Sequence, residues 1–246
     1  MKILSKAEIV TAEKVLLKHL PRSFKVYGYL RAINKDRPTV VEVLVDSWPE
    51  FKVIICRSKC ENESVGKTRK KVSYYCTDEN ALRKMLVDAD VIDWSTYFII
   101  GDSHHLLPEQ EVPSQVASRI SSLDLSHVDL VNKTWKFGGD EKGYSSITNL
   151  ITNFPSCCIT DEHGQPVSWI LLYDYCAMGL LYTLPEHRGK GHAKVLISTM
   201  ARRLIAEGFP VYCFIEEDNT LSYKAFTNLG FIEDPTYRAA WLEFNF

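Results

Sequence analysis

The 246-residue chain carries almost no excess of either charge: 29 Lys and Arg stand against 31 Asp and Glu, for a net −2. That balance argues against a nucleic-acid platform, which requires a basic face that the totals do not suggest. No run approaches the ~18 consecutive apolar residues of a membrane span, and the N-terminal stretch has no apolar core of the signal-peptide kind. The seven cysteines are odd in number and contain no Cys-x-x-Cys pair. They read as buried thiols in a reducing, intracellular compartment, not as a disulfide framework or zinc ligands. The histidines show no pair at metal-binding helical spacing; His104-His105 is the one adjacent pair, reads as loop, and no metal is expected.

What is there is enough apolar sequence for a full core, 46% hydrophobic against 24% charged, in one large or two small domains. Met1 to Leu20 reads as a helix: Ser5-x-x-Glu8 is a capping box, and Ile9, Ala12, Leu16 and Leu20 share a face. Ser23 to Ile33 reads as a strand that forms a hairpin with Thr39 to Val45 across Asn34-Lys-Asp-Arg-Pro38. Asp46-Ser-Trp-Pro-Glu50 interrupts, and Phe51 to Cys56 resumes as a strand. Residues 58–71, with Lys67, Arg69, Lys70 and Lys71 beside Glu61 and Glu63, read as a solvated loop. A strand over Val72 to Cys76, a helix over Glu79 to Val87 and a strand over Trp94 to Ile100 follow. The Pro- and Ser-bearing stretch 101–125 is the candidate boundary, giving an N-terminal domain over 1–115 and a C-terminal one over 116–246.

From Asp124 onward the spacing predicts a helix over Ser126 to Trp135, a second over Tyr144 to Thr152, and a hairpin of Ser156 to Thr160 with Pro166 to Tyr173 across Asp161-Glu-His-Gly164. A strand over Met178 to Leu184 then leads through Pro185 and a Gly-punctuated loop into a helix. Along it Leu196, Met200 and Leu204 recur on one face, with Arg202, Arg203 and Glu207 toward solvent. A strand entering a helix through Arg188-x-x-Gly191-x-Ala193 gathers unpaired backbone N–H groups and the positive end of the helix dipole at one point, which suits a pyrophosphate. The alternative is a loop whose glycines merely ease a tight connection. Downstream, Phe209 to Ile215 reads as a strand. Asn219 opens a short helix that ends at Gly230-Phe231, before a last strand.

Pro185-Glu-His-Arg-Gly-Lys-Gly191, with Asn219 followed eleven and twelve residues later by Gly230-Phe231, resembles the GNAT superfamily of acyl-CoA-dependent N-acyltransferases. The resemblance implies an α+β fold with a mixed sheet, built as tandem GNAT-like domains of which the C-terminal one carries the acyl-CoA site and the N-terminal one is degenerate. It implies acyl-CoA as co-substrate, held by Leu184, Arg188, Gly189, Lys190, Gly191, His192, Ala193 and Asn219; Asn219 also reads as the N-cap of its helix.

Further stretches narrow the resemblance to the glycine N-acyltransferase family, including its glycine N-acyltransferase-like members. They are Leu20-Pro-Arg-Ser-Phe-Lys-Val-Tyr-Gly28, Val45-Asp-Ser-Trp-Pro-Glu-Phe51, Ser126 to Gly139, Phe154-Pro-Ser-Cys-Cys158, Pro166-Val-Ser-Trp169 and Tyr182-Thr-Leu-Pro-Glu186. They span nearly the whole chain and imply acyl transfer from a CoA thioester to the amino group of glycine or a similar small amino acid, with a mitochondrial site and a cytoplasmic one as the alternative. Such chemistry uses a general base for the amine and a hydrogen-bond donor for the thioester oxygen, here a strand N–H near Leu184. The chain departs from the family at both proton-transfer positions. Ala177 stands where glycine conjugators carry a Glu base, and Phe226 where many GNAT enzymes carry a Tyr acid. Asp174, Glu186, Glu216 and Glu217 are nearby carboxylates, with no one of them singled out as a catalytic residue. A CoA-binding paralogue with little turnover is therefore the second reading, and a protein lysine acetyltransferase a distant third.

Overall fold

The computed structural model describes residues 1–59, 70–88, 91, 98–100, 119–234 and 242–244. The chain divides into two compact units, Met1–Ser103 with Thr236–Phe246, and His104–Pro235. The boundary stretch 101–118, most of the expected loop (60–69), residues 94–97, Cys60 and His104-His105 lie outside the described residues.

In the first unit β1 (Lys2–Ile3), β2 (Val41–Val45), β3 (Val53–Ser58), β4 (Lys70–Cys76), β5 (Phe98–Ile100) and the late strand β10 (Leu242–Phe244) form a sheet in the order β1-β2-β3-β4-β5-β10. All neighbours are antiparallel except β4 and β5, which run parallel because helix α3 (Glu79–Asp88) carries the chain across. Helix α1 (Lys6–Leu17) begins at the expected capping box, with the Ser5 amide and hydroxyl each 2.9 Å from the Glu8 carboxylate, and buries Ile9, Ala12 and Leu16. Helix α2 (Phe24–Asn34) corrects the strand expected over Ser23 to Ile33. Seven consecutive residues, Phe24 to Leu30, are buried, Lys25 among them, so no polar face marks the 3.6-residue period. The aromatic and β-branched content then reads as strand.

Without that strand, β2 pairs instead with β3, in register from Val41↔Ser58 to Val45↔Ile54. Asp46 closes the turn between them by accepting the Lys52 and Val53 amides at 3.0 Å each. Leu44, Val53, Ile55 and Val72 from the strands meet Met85 of α3 and Val91 in one apolar cluster. Each such side chain contributes roughly 1.5–3 kcal/mol by leaving water.

In the second unit a 3-10 turn (Leu125–His127) leads into α4 (Val128–Thr134), and α5 (Glu141–Asn153) follows, its first turn capped by Asp140, whose Oδ1 accepts the Gly143 amide at 2.6 Å. The strands β6 (Ile120–Ser121), β7 (Ser156–Thr160), β8 (Pro166–Leu172) and β9 (Met178–Thr183) form an antiparallel sheet in chain order. Helix α6 (His192–Ala206) packs across β7, β8 and β9, burying Leu196, Met200 and Leu204 as expected. Helix α7 (Thr220–Thr227) packs against α6.

Two expected strands are corrected here. Residues 209–215 form no regular strand and touch the sheet at a single parallel bridge, Met178↔Cys213. The last strand does not close this sheet: it is β10, paired with β5 in the first unit from Leu242↔Ile100 to Phe244↔Phe98. The bulge in β9 accounts for the first. Leu180 and Leu181 together oppose Ile170, and Leu180 takes φ 50°, so β9 bends after its first residues.

Candidate acyl-CoA site

The strand β9, the loop 184–191 and the start of α6 make one continuous device. Leu184 closes the strand by donating its amide to the Val167 carbonyl of β8 at 2.9 Å. Pro185 to His187 then make a 3-10 turn, secured by the His187 amide on the Leu184 carbonyl at 2.9 Å. Gly189 and Gly191 follow with φ of +75° and +76°, a region in which a β-carbon would crowd the next carbonyl. A β-carbon at either glycine would find no atom within 4 Å, so the space before the loop is open.

Gly191 is also the N-cap of α6, and it has no side chain with which to cap the amides of the helix's first turn. The helix is 15 residues long, ample to develop a dipole whose positive end faces that open space. Amides that Gly191 leaves without a side-chain cap, positive potential and room for oxygen atoms together fit the diphosphate of a CoA thioester.

The expected binding residues separate into groups. Gly189 and Gly191 form the cradle, with Lys190 exposed between them and Ala193 half-buried in the first turn. Arg188 turns back on β9: its Nε donates to the Thr183 carbonyl at 3.0 Å and its guanidinium lies 5.6 Å from the centre of the Tyr182 ring. His192 points inward at 5% exposure, and burial followed by Arg119, His187 and Lys190 lowers its pKa, so the ring is neutral near pH 7. Asn219 is the N-cap of α7, its Oδ1 accepting the Ser222 amide at 3.1 Å.

The Leu184 amide is not available to a ligand, because it is already spent on Val167. The pleat turns Tyr182 and Leu184 toward β8 and Thr183 to the opposite edge, the edge on which Met178 donates to Tyr212 O at 2.8 Å. Beyond that one bridge no strand among the described residues pairs with the outward edge of β9, which leaves that edge open. No local pattern marks this opening, because it depends on a bulge that only the paired strands define.

Neither vacant proton-transfer position is refilled at its own site. Ala177 is fully buried and Phe226 packs edge-on against Phe231 with ring centres 5.0 Å apart. Glu216 is held by Lys136 at 2.7 Å. Tyr212, whose hydroxyl donates to the Tyr175 carbonyl, has its pKa pushed well up by burial. None of the six described cysteines is in a disulfide; burial raises Cys157 and Cys158 to about 11 and Cys56 and Cys213 further, so these four are protonated and poor nucleophiles at neutral pH.

A β-sheet with a glycine cradle at the head of its long helix defines the class: the fold is that of the GNAT N-acyltransferases. A crystal structure of a putative acetyltransferase from the GNAT family of Novosphingobium aromaticivorans matches 90% of this chain and 95% of its own at a TM-score of 0.52 and 12% identity. A Drosophila protein of known structure matches 98% and 96% at a TM-score of 0.74 and 14% identity.

Family models described as aralkyl acyl-CoA:amino acid N-acyltransferase match residues 1–112 and 101–155, and the model of that family's C-terminal region matches 157–245. The chain belongs to this family. It is 27% identical to the glycine N-acyltransferase of Rattus norvegicus over 278 residues, 94% of each chain. It is 29% identical to the glycine N-phenylacetyltransferase of Bos taurus over 271 residues, 91% of this chain and 92% of that one.

Proposed function

We propose that this protein transfers an acyl group from a CoA thioester to the amino group of glycine or a similar small amino acid. The observation that carries the reading is the uncapped start of α6 behind two left-handed glycines with open space before them. Family membership supplies the substrate class, and the printed activities of the rat and bovine relatives suggest glycine as acceptor.

In this reading the amides of the first turn of α6 bind the diphosphate and fix the cofactor's long axis against the open edge of β9. The outward edge of β9 at Thr183 meets the thioester carbonyl, where an N–H can stabilise the oxygen as it gains charge. The acceptor amine attacks the carbonyl carbon, the C–S bond breaks, the amine loses one proton, and the CoA sulfur leaves as a thiolate. Holding amine and thioester together supplies much of the acceleration. Ala177 offers no base for the amine proton, which costs roughly 10²- to 10⁴-fold relative to an enzyme with a carboxylate there. Slow turnover that rises with pH, as the free amine becomes more abundant, is the expected signature.

Ala177 and Phe226 favour one second reading, a CoA-binding protein with little or no turnover. Purified protein given acetyl-, benzoyl- or long-chain acyl-CoA with a panel of amino acids separates the two. Release of free thiol that depends on the amino acid supports the transferase; CoA binding without thiol release supports the second reading, and failure to bind CoA overturns both.

A further inference from the structure

Beside the glycine loop, within the second unit, is a cavity of about 300 Å³. Five basic side chains line it: Arg119 before β6, His163 in the β7–β8 turn, His187 in the 3-10 turn, and Lys190 and His192 at the start of α6. Asp161 and Glu162 complete the lining. Asp161 is already engaged, its Oδ1 accepting the His163 and Gln165 amides at 2.8 Å each. Glu162 is exposed.

His192 is the most informative of these residues. It is 5% exposed, and its buried Nδ1 has no hydrogen-bond partner among the described residues. A buried ring nitrogen without a partner costs stability unless something completes it. Its ring stacks against His187, with centres 6.5 Å apart, and the cationic Arg119 and Lys190 stand against it, so the groups facing this ring are mainly alike in charge. Although Asp161 and Glu162 offset the two cations over the cavity as a whole, the end at His192 faces Arg119 and Lys190, and an anion that accepts several hydrogen bonds at once relieves their repulsion there. Arg119 presents the planar fork that suits phosphate oxygens, and Lys190 a point charge.

We propose that this cavity is a second anion site, adjoining the diphosphate cradle and sharing the Lys190–His192 segment with it, and that it takes a phosphate dianion. Two sources carry that chemistry: inorganic phosphate, or the 3′-phosphate on the adenosine of CoA itself. The second source rests on the acyl-CoA reading; the first does not.

Calorimetric titration tests both. Inorganic phosphate is titrated into the full chain and into Arg119→Ala, Arg119→Lys and His163→Ala. Arg119 and His163 are exposed, and circular dichroism checks that the variants fold. Phosphate is expected to bind the unaltered protein, about tenfold or more weakly after Arg119→Ala, with partial recovery in Arg119→Lys. The imidazole shifts of His192 should move to higher pKa as phosphate is added. No binding to the unaltered protein, or equal binding to all four proteins, overturns the proposal.

CoA and dephospho-CoA are titrated in parallel. A preference for CoA that Arg119→Ala abolishes identifies the cofactor's own phosphate as occupant. Equal affinities, with phosphate binding undiminished by saturating CoA, identify a separate one. Should CoA fail to bind while phosphate binds, the acyl-CoA reading falls and the anion site stands.

Discussion

Each unit contains a strand, a crossover helix and a second segment parallel to the first, and the two differ at both ends of the crossover. In the first unit α3 is capped by Asp78, whose Oδ1 accepts the Asn80 and Ala81 amides at 3.0 and 3.1 Å, and β5 pairs with β4 at Lys70↔Phe98, Lys71↔Ile99 and Val72↔Ile100. In the second, α6 starts at an uncapped Gly191, and 209–215 meets β9 only at Met178↔Cys213. The same crossover arrangement is closed by its own side chains in one place and left open in the other. A helix end satisfied internally has nothing to offer a ligand, whereas amides without a side-chain cap beside an open sheet edge do.

The largest expected effect comes from equipping the open unit with the base it lacks. Ala177→Glu should accelerate glycine acylation by about 100-fold or more near neutral pH. An unchanged rate, with the variant folded, would mean that this position is not where the amine loses its proton. Next is Gly191→Asp, which starts α6 with the residue type that starts α3. Its carboxylate caps the helix and repels a diphosphate, while its β-carbon is strained at φ +76°. Stability should change by no more than about 1 kcal/mol, yet CoA affinity by calorimetry should fall about 100-fold; retained affinity would place the diphosphate elsewhere.

Asn219→Ala removes the cap of α7 and should cost about 1 kcal/mol in denaturant unfolding. If CoA affinity falls with it, the residue touches the cofactor as well as its helix; if not, the cap is its whole role.

The smallest effect belongs to the closed unit. The Asp78 carboxyl is held below its ordinary value of 3.8, first by the Lys52 ammonium at 2.9 Å and then by the Ala81 amide. A depressed folded pKa stabilises the protein above the unfolded value, and that contribution is lost as pH falls through the folded one. Asp78→Asn keeps the cap but not the charge. Its melting temperature should lie slightly below that of the unaltered protein at pH 7, with the gap closing in acid below the ordinary carboxylate range.

Reading residues in order succeeded where neighbours in the chain decide the outcome. Ser5 and Glu8 cap α1, Asp161 and Gly164 turn the β7–β8 hairpin, and the fourfold spacing of Leu196, Met200 and Leu204 gives the buried face of α6. The glycine-punctuated loop leading into α6 was legible for the same reason. Gly189 and Gly191 hold conformations that other residues resist, and their distance from Pro185 is fixed by the backbone. At α2 the reading failed, because burial around the whole helix removed the polar face that reveals its period. Nor does residue order reveal that the Leu184 amide is taken by Val167 from a neighbouring strand.

Caps, turns and the loop follow from short-range sterics and hydrogen bonds among a few successive residues, which the order of amino acids prescribes directly. The open edge of β9, the departure of β10 to the first unit's sheet and the cavity that unites Arg119, His163, His187 and His192 depend on segments far apart in the chain. Folding decides those through strand register and core packing, because many pairings satisfy the backbone equally well and only the packed arrangement selects one.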